Sequence, residues 1–220
     1  MSESLFTQLL NLTVGAMLLT AVLTLWWRQL SSIIVIFGLQ GIALAATVAL
    51  IATHEGSAEL GVVAVLVLVL RAGVLPWLLR RTLAAAGPNR RETRPLVNVV
   101  TSLLVAAGLT LLAYAVAQPL VALDTSPTGH AVPAALAVAL TGFFVLVTRR
   151  LALSQLVGFL LLDNGITAVG ILTTAEIGLV VELGISMDVL LVVLVLHVLK
   201  SRIRAAFGRT DIDELRELHD

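Results

Sequence analysis

The chain has no cysteine and little charge. Asp, Glu, Lys and Arg make up 13% of its 220 residues, about half the share that soluble domains carry. Without cysteine, the chain itself cannot form a disulfide, a thiolate metal site or the ligands of an iron–sulfur cluster. It contains neither a GxxxxGKS or GxxxxGKT nucleotide loop nor an HExxH metal motif. Its net charge of zero gives no reason to expect a nucleic acid partner. Any redox chemistry or ATP use would therefore belong to a partner protein.

What remains is mostly apolar, with 59% hydrophobic residues and a mean hydropathy of +1.04. A helix needs about 20 apolar residues to cross a bilayer, and seven runs are of roughly this length. We therefore predict an all-α, polytopic transmembrane helical bundle of about seven spans, in which Gly and Ala permit close helix contact in the second, fourth, fifth and sixth spans. The runs are Leu5–Trp27, Leu30–Thr53, Ala58–Leu79, Leu96–Gln118, Ala131–Thr148, Ala152–Thr173 and Gly178–Leu199.

The distribution of Lys and Arg predicts the orientation. Arg28 follows the first run, five arginines lie between the third and fourth runs, and Arg149 and Arg150 separate the fifth and sixth. The remaining basic residues outside the runs follow the seventh run, and the other loops contain none. Because cytoplasmic loops carry an excess of Lys and Arg, the N-terminus should be outside and the C-terminus cytoplasmic.

The sequence contains a faint internal repeat. The sequence FGLQGI at Phe37–Ile42 resembles LLDNGI at Leu161–Ile166, each in the second helix of a three-helix group. One span between the two groups makes this a parallel repeat. We predict a first three-helix unit with its cytoplasmic loop (residues 1–95), a linking helix with an outer loop (96–130), a second three-helix unit (131–200) and a cytoplasmic tail (201–220).

Three ionisable side chains interrupt the apolar runs: Arg71, Asp163 and Asp188. At a rise of about 1.5 Å per residue, each lies about 15–19 Å from a basic residue at the end of its helix, near the middle of the membrane. Gln40 and Asn164 lie at similar depth. A central Asp costs about 2.5–3.5 kcal/mol on insertion, and intramembrane charges usually mark functional sites.

These charges have two interpretations. In the first, Asp163 and Asp188 carry protons or another ion, Arg71 is the charged partner of one of them, and Gln40 and Asn164 line the path. In the second, Arg71 and an aspartate form a static pair that fixes helix packing.

Three further groups are candidates for the ends of the path. Glu59 and Glu182 begin spans at the outer face, and His197 lies one turn from Lys200. Solvated acids are ordinary at helix N-termini, and an interfacial histidine has an equally simple structural interpretation. The sequence contains no cluster of histidines that would predict a metal site.

Several short stretches resemble the hydrogenase-4 component E family. They are Asp163-Asn164-Gly165, ELGISMD at Glu182–Asp188, TDIDEL at Thr210–Leu215, and the intramembrane base Arg71 followed by Pro76. The last three spans also resemble subunit K of respiratory complex I, which has two intramembrane glutamates. Asp188 falls at the second of these, whereas Leu160 stands at the first, with Asp163 one turn later as a substitute.

The resemblance implies a non-catalytic membrane-arm subunit of a group 4 nickel–iron hydrogenase or related complex in the bacterial cytoplasmic membrane. Its partners would be an antiporter-like membrane protein, a protein similar to the H-type membrane component of complex I, and a soluble hydrogenase arm. The nickel–iron centre and iron–sulfur clusters would belong to those partners, and no cofactor or metal is expected in this chain. Two alternatives are a structural scaffold without ion transfer and a small cation/proton antiporter component.

Overall fold

The computed structural model describes residues 2–85, 97–124 and 126–173, and all regular structure in these ranges is helical. The seventh predicted span and the tail lie outside the described residues. So do three of the predicted path residues, Asp188, Glu182 and His197.

Six helical units in the described ranges are long and apolar enough to cross a membrane. The prediction of an all-α, multi-pass membrane protein is therefore confirmed for this part of the chain. The elements are α1 (Glu3–Trp26), α2 (Leu30–Glu55), α3 (Ala58–Val67), a π-helical segment (Leu68–Val74), α4 (Leu75–Ala85), α5 (Val99–Leu123), α6 (Pro127–Thr148) and α7 (Ala152–Thr173), with α3, the π segment and α4 forming one continuous span.

Local polar and proline residues shift two of the predicted boundaries. The fifth span begins at Pro127 rather than Ala131, because the Ser126 hydroxyl accepts a 3.1 Å hydrogen bond from the Gly129 amide and caps the helix. Proline at the first helical position suits this start, since its missing N–H would be unpaired there anyway. The fourth span runs from Val99 to Leu123 and continues past Pro119.

Glycines set the closest contacts between α6 and α7. A Cβ added at Gly158 would lie 2.5 Å from the Leu146 amide nitrogen, and one added at Gly142 or Gly165 would also collide with backbone of the facing helix. The helices are antiparallel, with Gly142 opposite Leu162. The predicted close contact holds for α2, α6 and α7, but in α5 it comes from buried Ala106, Ala113 and Ala117, because Gly108 has open space around it.

Two apolar clusters fill the bundle above and below a buried polar layer. The first joins α1, α2, α3, α6 and α7, with Phe6, Leu10 and Val14 on α1 and Leu44 and Val48 on α2 among its members. The second lies toward the other end and joins the end of α1, the start of α2, α4, α5, α6 and the first half of α7. The candidate site lies between these clusters.

One end of the bundle, where α1, α4 and α6 finish, holds exposed Arg28, Arg80, Arg81 and Arg150; we call it the basic end. Arg149 lies there too, but it is 5% exposed and its Nη2 donates to the carbonyls of Thr24 (2.8 Å) and Trp27 (3.3 Å). The sequence predicted a loop charge at Arg149. Instead, its guanidinium satisfies carbonyls at the end of α1 that have no helical partner.

Candidate functional site

Arg71 lies at the centre of the π segment, and the sequence explains why the helix widens there. Pro76 has no N–H, and its ring would collide with the carbonyl four residues back in a regular α-helix. At this point the Leu75 amide donates to the carbonyl of Leu70, five residues back. Such π segments occur often at functional sites. The widened turn leaves Arg71 only 1% exposed.

Two glycines of α2 allow the π segment to approach closely. A Cβ at Gly41 would lie 2.7 Å from the carbonyl carbon of Arg71 and 2.9 Å from the Ala72 nitrogen, both of which are backbone atoms. A Cβ at Gly38 would touch the ring of Pro76 at 3.4 Å. Only glycine at position 41 lets α2 lie directly against the backbone that carries Arg71.

The guanidinium of Arg71 binds three polar side chains of α7. Its Nη2 is 2.6 Å from Oδ2 of Asp163 and donates a 3.0 Å hydrogen bond to Oγ1 of Thr167, while its Nη1 donates to Oδ1 of Asn164. Asp163 is 7% exposed and Asn164 is 1% exposed. Residues 163, 164 and 167 are neighbours on the helix surface because positions three or four apart share a face.

A backbone carbonyl of α1 orients the rest of the network. The Met17 carbonyl can only accept, so Gln40 must turn its Nε2 toward it, at 3.3 Å. Oε1 of Gln40 then accepts a 2.9 Å bond from Nδ2 of Asn164, which leaves Oδ1 of Asn164 facing Arg71. Three helices and the π segment thereby fix the amide orientations around one guanidinium.

The site pairs one permanent cation with one group that can change its charge. An arginine stays protonated in proteins, whereas a carboxyl such as that of Asp163 exists with or without its proton. Removing two charges from water costs several kcal/mol per ion, which is recovered only where geometry and additional hydrogen bonds are good. Asn164 and Thr167 supply such bonds to Arg71.

Four of the predicted site residues meet here: Arg71, Asp163, Asn164 and Gln40. Glu59 does not join them. It is exposed in the first turn of α3, twelve residues before Arg71.

Two participants were missed from the sequence. Thr167 could have been predicted, because it lies one turn after Asp163 on the same helix. A backbone acceptor such as the Met17 carbonyl cannot be predicted from residue types, because every residue has a carbonyl. In the described ranges, no group of three or more His, Asp or Glu side chains could hold a metal ion.

Comparison with known proteins finds a relative that is similar over its full length. The chain is 48% identical to the uncharacterized protein Rv0085 of Mycobacterium tuberculosis, over 220 residues and the full length of both proteins. It belongs to the Rv0085 family. No family model and no solved structure matches the chain. Since the identity covers both proteins completely, we expect the helical core around Arg71 to be common to Rv0085 and this chain.

Proposed function

We propose that this chain is a non-catalytic subunit of an ion-translocating complex in the bacterial cytoplasmic membrane, with the Arg71–Asp163 pair as part of the path. The observation that carries the proposal is the enclosed network of Arg71, Asp163, Asn164 and Gln40 near the middle of the spans. Intramembrane ionisable groups are expensive and mark ion or proton paths by default.

The hydrogen bonds of Arg71 suit a partner whose charge changes. When the Asp163 carboxylate takes up a proton, the ion pair is lost. Arg71 then still donates to Asn164 and Thr167, so the guanidinium is not left without acceptors. Stability alone does not require a charged pair here, because apolar residues of similar volume often replace a buried ion pair without loss of stability.

The repeat predicted from the sequence agrees with this location. Gln40 and Asn164 occupy equivalent positions in the two similar hexapeptides, and their side chains are hydrogen-bonded at 2.9 Å. Equivalent residues of a parallel repeat meet close to the axis that relates the two halves, and transporter sites often lie at repeat interfaces near the midplane. We assign the basic end to the cytoplasm, as the positive-inside rule requires.

The resemblance to hydrogenase-4 component E and to complex I subunit K supports coupling to electron transfer. Under this proposal, Asp188 is a second carrier, with Glu182 and His197 as candidates for the ends of the path. The partners are an antiporter-like membrane protein, a protein similar to the H-type membrane component of complex I, and a soluble arm. The nickel–iron and iron–sulfur centres belong to that soluble arm.

Purification from the native membrane tests the assembly. The tagged chain is isolated in mild detergent, its co-purifying proteins are identified by mass spectrometry, and nickel and iron are assayed. We expect antiporter-like proteins together with both metals. The same membrane partners with iron but no nickel would retain the coupling role and change the redox chemistry, whereas recovery of the chain alone would contradict a complex.

Replacement of the titratable group tests the path itself. Asp163→Asn keeps the size of the side chain but cannot take up a proton, and we expect it to abolish coupled ion movement in inverted vesicles while the complex still assembles. Asp188→Asn should do the same. Asp124→Asn, at an exposed loop acid, is the matched control. Normal ion movement in the Asp163→Asn complex would refute the role of Asp163.

The dense packing around the site favours a second candidate, a scaffold that bridges larger subunits. Backbone contact at Gly41 and the Arg71–Asp163 pair together tie α2, the π segment and α7. A scaffold should keep its complex coupled when the Arg71 and Asp163 charges are replaced together by apolar residues. Activity of the purified chain as a homo-oligomer would instead favour a small autonomous transporter.

A further inference from the structure

The polar contacts of the site continue along α1 toward the basic end. The Met17 carbonyl that accepts from Gln40 also accepts a 2.8 Å hydrogen bond from Oγ1 of Thr20. Oγ1 of Thr24 donates to the Thr20 carbonyl at 3.0 Å, and the Thr24 carbonyl accepts from Nη2 of Arg149 at 2.8 Å. These contacts form an unbroken polar line from the middle of the bundle to its basic end, which we call the α1 seam.

The α1 seam is buried along its length and reaches a crevice at its outer end. Thr24 is 0% exposed, Thr20 is 8% exposed and Arg149 is 5% exposed. Next to Arg149 lies a crevice of about 10 Å³, roughly the space that one water molecule needs. Its polar lining comes from Arg28, Ser102, Thr148 and Arg149.

The opposite half of the bundle has no comparable line among the described residues. Thr47 donates to Thr13 at 3.0 Å, about 10 Å (two helical turns) beyond Gln40 along α2. Beyond this contact the interior is filled by the first apolar cluster, including Phe6, Leu10 and Val48. The polar layer is therefore continuous with one end of the bundle and separated from the other by packed apolar side chains.

We infer that the α1 seam is the route by which water and protons reach the Arg71–Asp163 site from the basic end. The inference rests on the proposed function and adds a direction and three further residues to it, namely Thr20, Thr24 and Arg149. We assign the seam to water and protons rather than to a hydrated metal ion, because the crevice beside Arg149 has room for about one water.

The chemistry of the seam identifies water as the carrier. A backbone carbonyl has no proton to pass on, so the hydrogen-bonded groups of the seam cannot relay a proton by themselves. Each threonine hydroxyl donates to a carbonyl and keeps its lone pairs, with which it can hold a water. A hydronium that reaches the polar layer gives its proton to the Asp163 carboxylate, which yields a neutral carboxylic acid and one water molecule.

Arg149 does not make the mouth of the seam strongly positive. Its guanidinium binds carbonyls at the C-terminal end of α1, where the helix dipole is equivalent to about half a negative charge. The helix end therefore offsets about half of the guanidinium charge, and Arg149 holds the last turn of α1 in place at the mouth.

Cysteine labelling tests the route directly, because the natural chain has no cysteine of its own. Thr20→Cys and Thr24→Cys replace each hydroxyl by a thiol of similar size. The full-length variants, in right-side-out and inverted vesicles, are treated with silver ions, which do not cross the membrane, bind thiols and are close to a water molecule in size. Labelling is measured, after denaturation, as the loss of thiols that still react with a maleimide. Thr53→Cys, exposed at the end of α2, serves as the accessible control for the other face, and Val48→Cys, 0% exposed, is the buried control.

We expect Thr24→Cys and Thr20→Cys to be labelled from the face of the basic end. They should not be labelled from the opposite face, which labels Thr53→Cys. Val48→Cys should stay unlabelled from both faces. Labelling of positions 20 and 24 from the opposite face, or from neither, would overturn the route.

The labelling does not depend on ion movement, so it separates this inference from the proposed function. If positions 20 and 24 resist labelling while Asp163→Asn still abolishes ion movement, the route is wrong and the proposed function stands. If they are labelled while Asp163→Asn moves ions normally, the proposed function is wrong and the seam is only hydrated. The pair Thr20→Val and Thr24→Val should in addition slow ion movement, unlike Thr110→Val on α5, whose hydroxyl makes the same kind of helical bond.

Discussion

Removal of the Arg71 charge alone should strongly destabilise the chain. Arg71→Met keeps a long, flexible side chain but leaves the Asp163 carboxyl, 7% exposed, without its cation at 2.6 Å. Breaking one side of a buried ion pair costs about 3–5 kcal/mol, because the remaining charge is left uncompensated. For a chain of this length, about 2–4 °C of melting temperature corresponds to each kcal/mol, so the loss should be about 6–20 °C.

Replacement of both partners should restore most of that loss. Arg71→Met combined with Asp163→Leu removes both desolvation costs and leaves a layer of matched apolar volume. Such replacements of buried pairs are often neutral or stabilising. The double variant should therefore unfold close to the wild type, and the two single changes should show a large coupling energy.

Thermal unfolding in a mild detergent, followed by circular dichroism, compares four proteins under one condition: the wild type, Arg71→Met, Asp163→Leu and the double variant. Arg81→Met is the matched control, because Arg81 is exposed and its guanidinium lies over the Trp77 ring at 5.3 Å, a contact worth about 0.5–1 kcal/mol at an exposed site. If Arg71→Met melts no lower than Arg81→Met, the ion pair is not an essential part of the folded state. A stable double variant that no longer moves ions would separate transport from scaffolding.

Two further predictions concern packing and pH. Gly41→Ala should destabilise the folded chain by about 1–3 kcal/mol, because its new Cβ meets backbone that cannot rotate away. Gly15→Ala should not, because Gly15 has open space around it. Thermal unfolding of both variants measures the difference. The pKa of Asp124 is lowered from its ordinary 3.8, because the Ser126 side chain and then the Ser126 amide donate to its carboxylate. This stabilisation is fully present above pH 3.8 and is lost as the pH falls through the lower folded value, so unfolding scans from about pH 5 to pH 3 should show a shallower acid decline for Asp124→Asn.

Each of these two has a clear contrary result. Equal stability of Gly41→Ala and Gly15→Ala would mean that α2 does not lie against the π segment as closely as described. A parallel acid decline of the wild type and Asp124→Asn would mean that the bonds from Ser126 do not persist in solution.

Depth in the membrane is the most informative property of the sequence. Helix rise alone predicts that Arg71, Asp163, Asn164 and Gln40 share a level, and they form one network. Four polar groups at one depth in an apolar bundle have few partners other than each other. Residue type and spacing are therefore sufficient to predict that they meet. Asp188, the other predicted carrier, stays a prediction.

Contacts set by backbone geometry cannot be predicted in the same way. The π segment has no hydrophobic period that differs from that of an α-helix over seven residues, and only Pro76 hints at it. Arg149 lies in a short basic loop, which predicts a solvated charge, although its guanidinium closes the end of α1. Whether an arginine faces water or a helix end depends on its neighbours in space, which the sequence around it does not specify.

The widened turn also has a consequence for how the family can vary in length. It takes up one residue more than an α-helical turn, so buried Leu60 and Val67 before it and buried Leu75 and Leu78 after it stay in phase on opposite sides of Arg71. A relative with one residue deleted in this stretch would close the widened turn to a regular α-helical one, so the two halves would stay in phase while the residues inside the turn change direction. It could keep an arginine at the aligned position and still fail to point it at α7. The number of residues in this span, and not the arginine alone, therefore indicates which relatives retain the site.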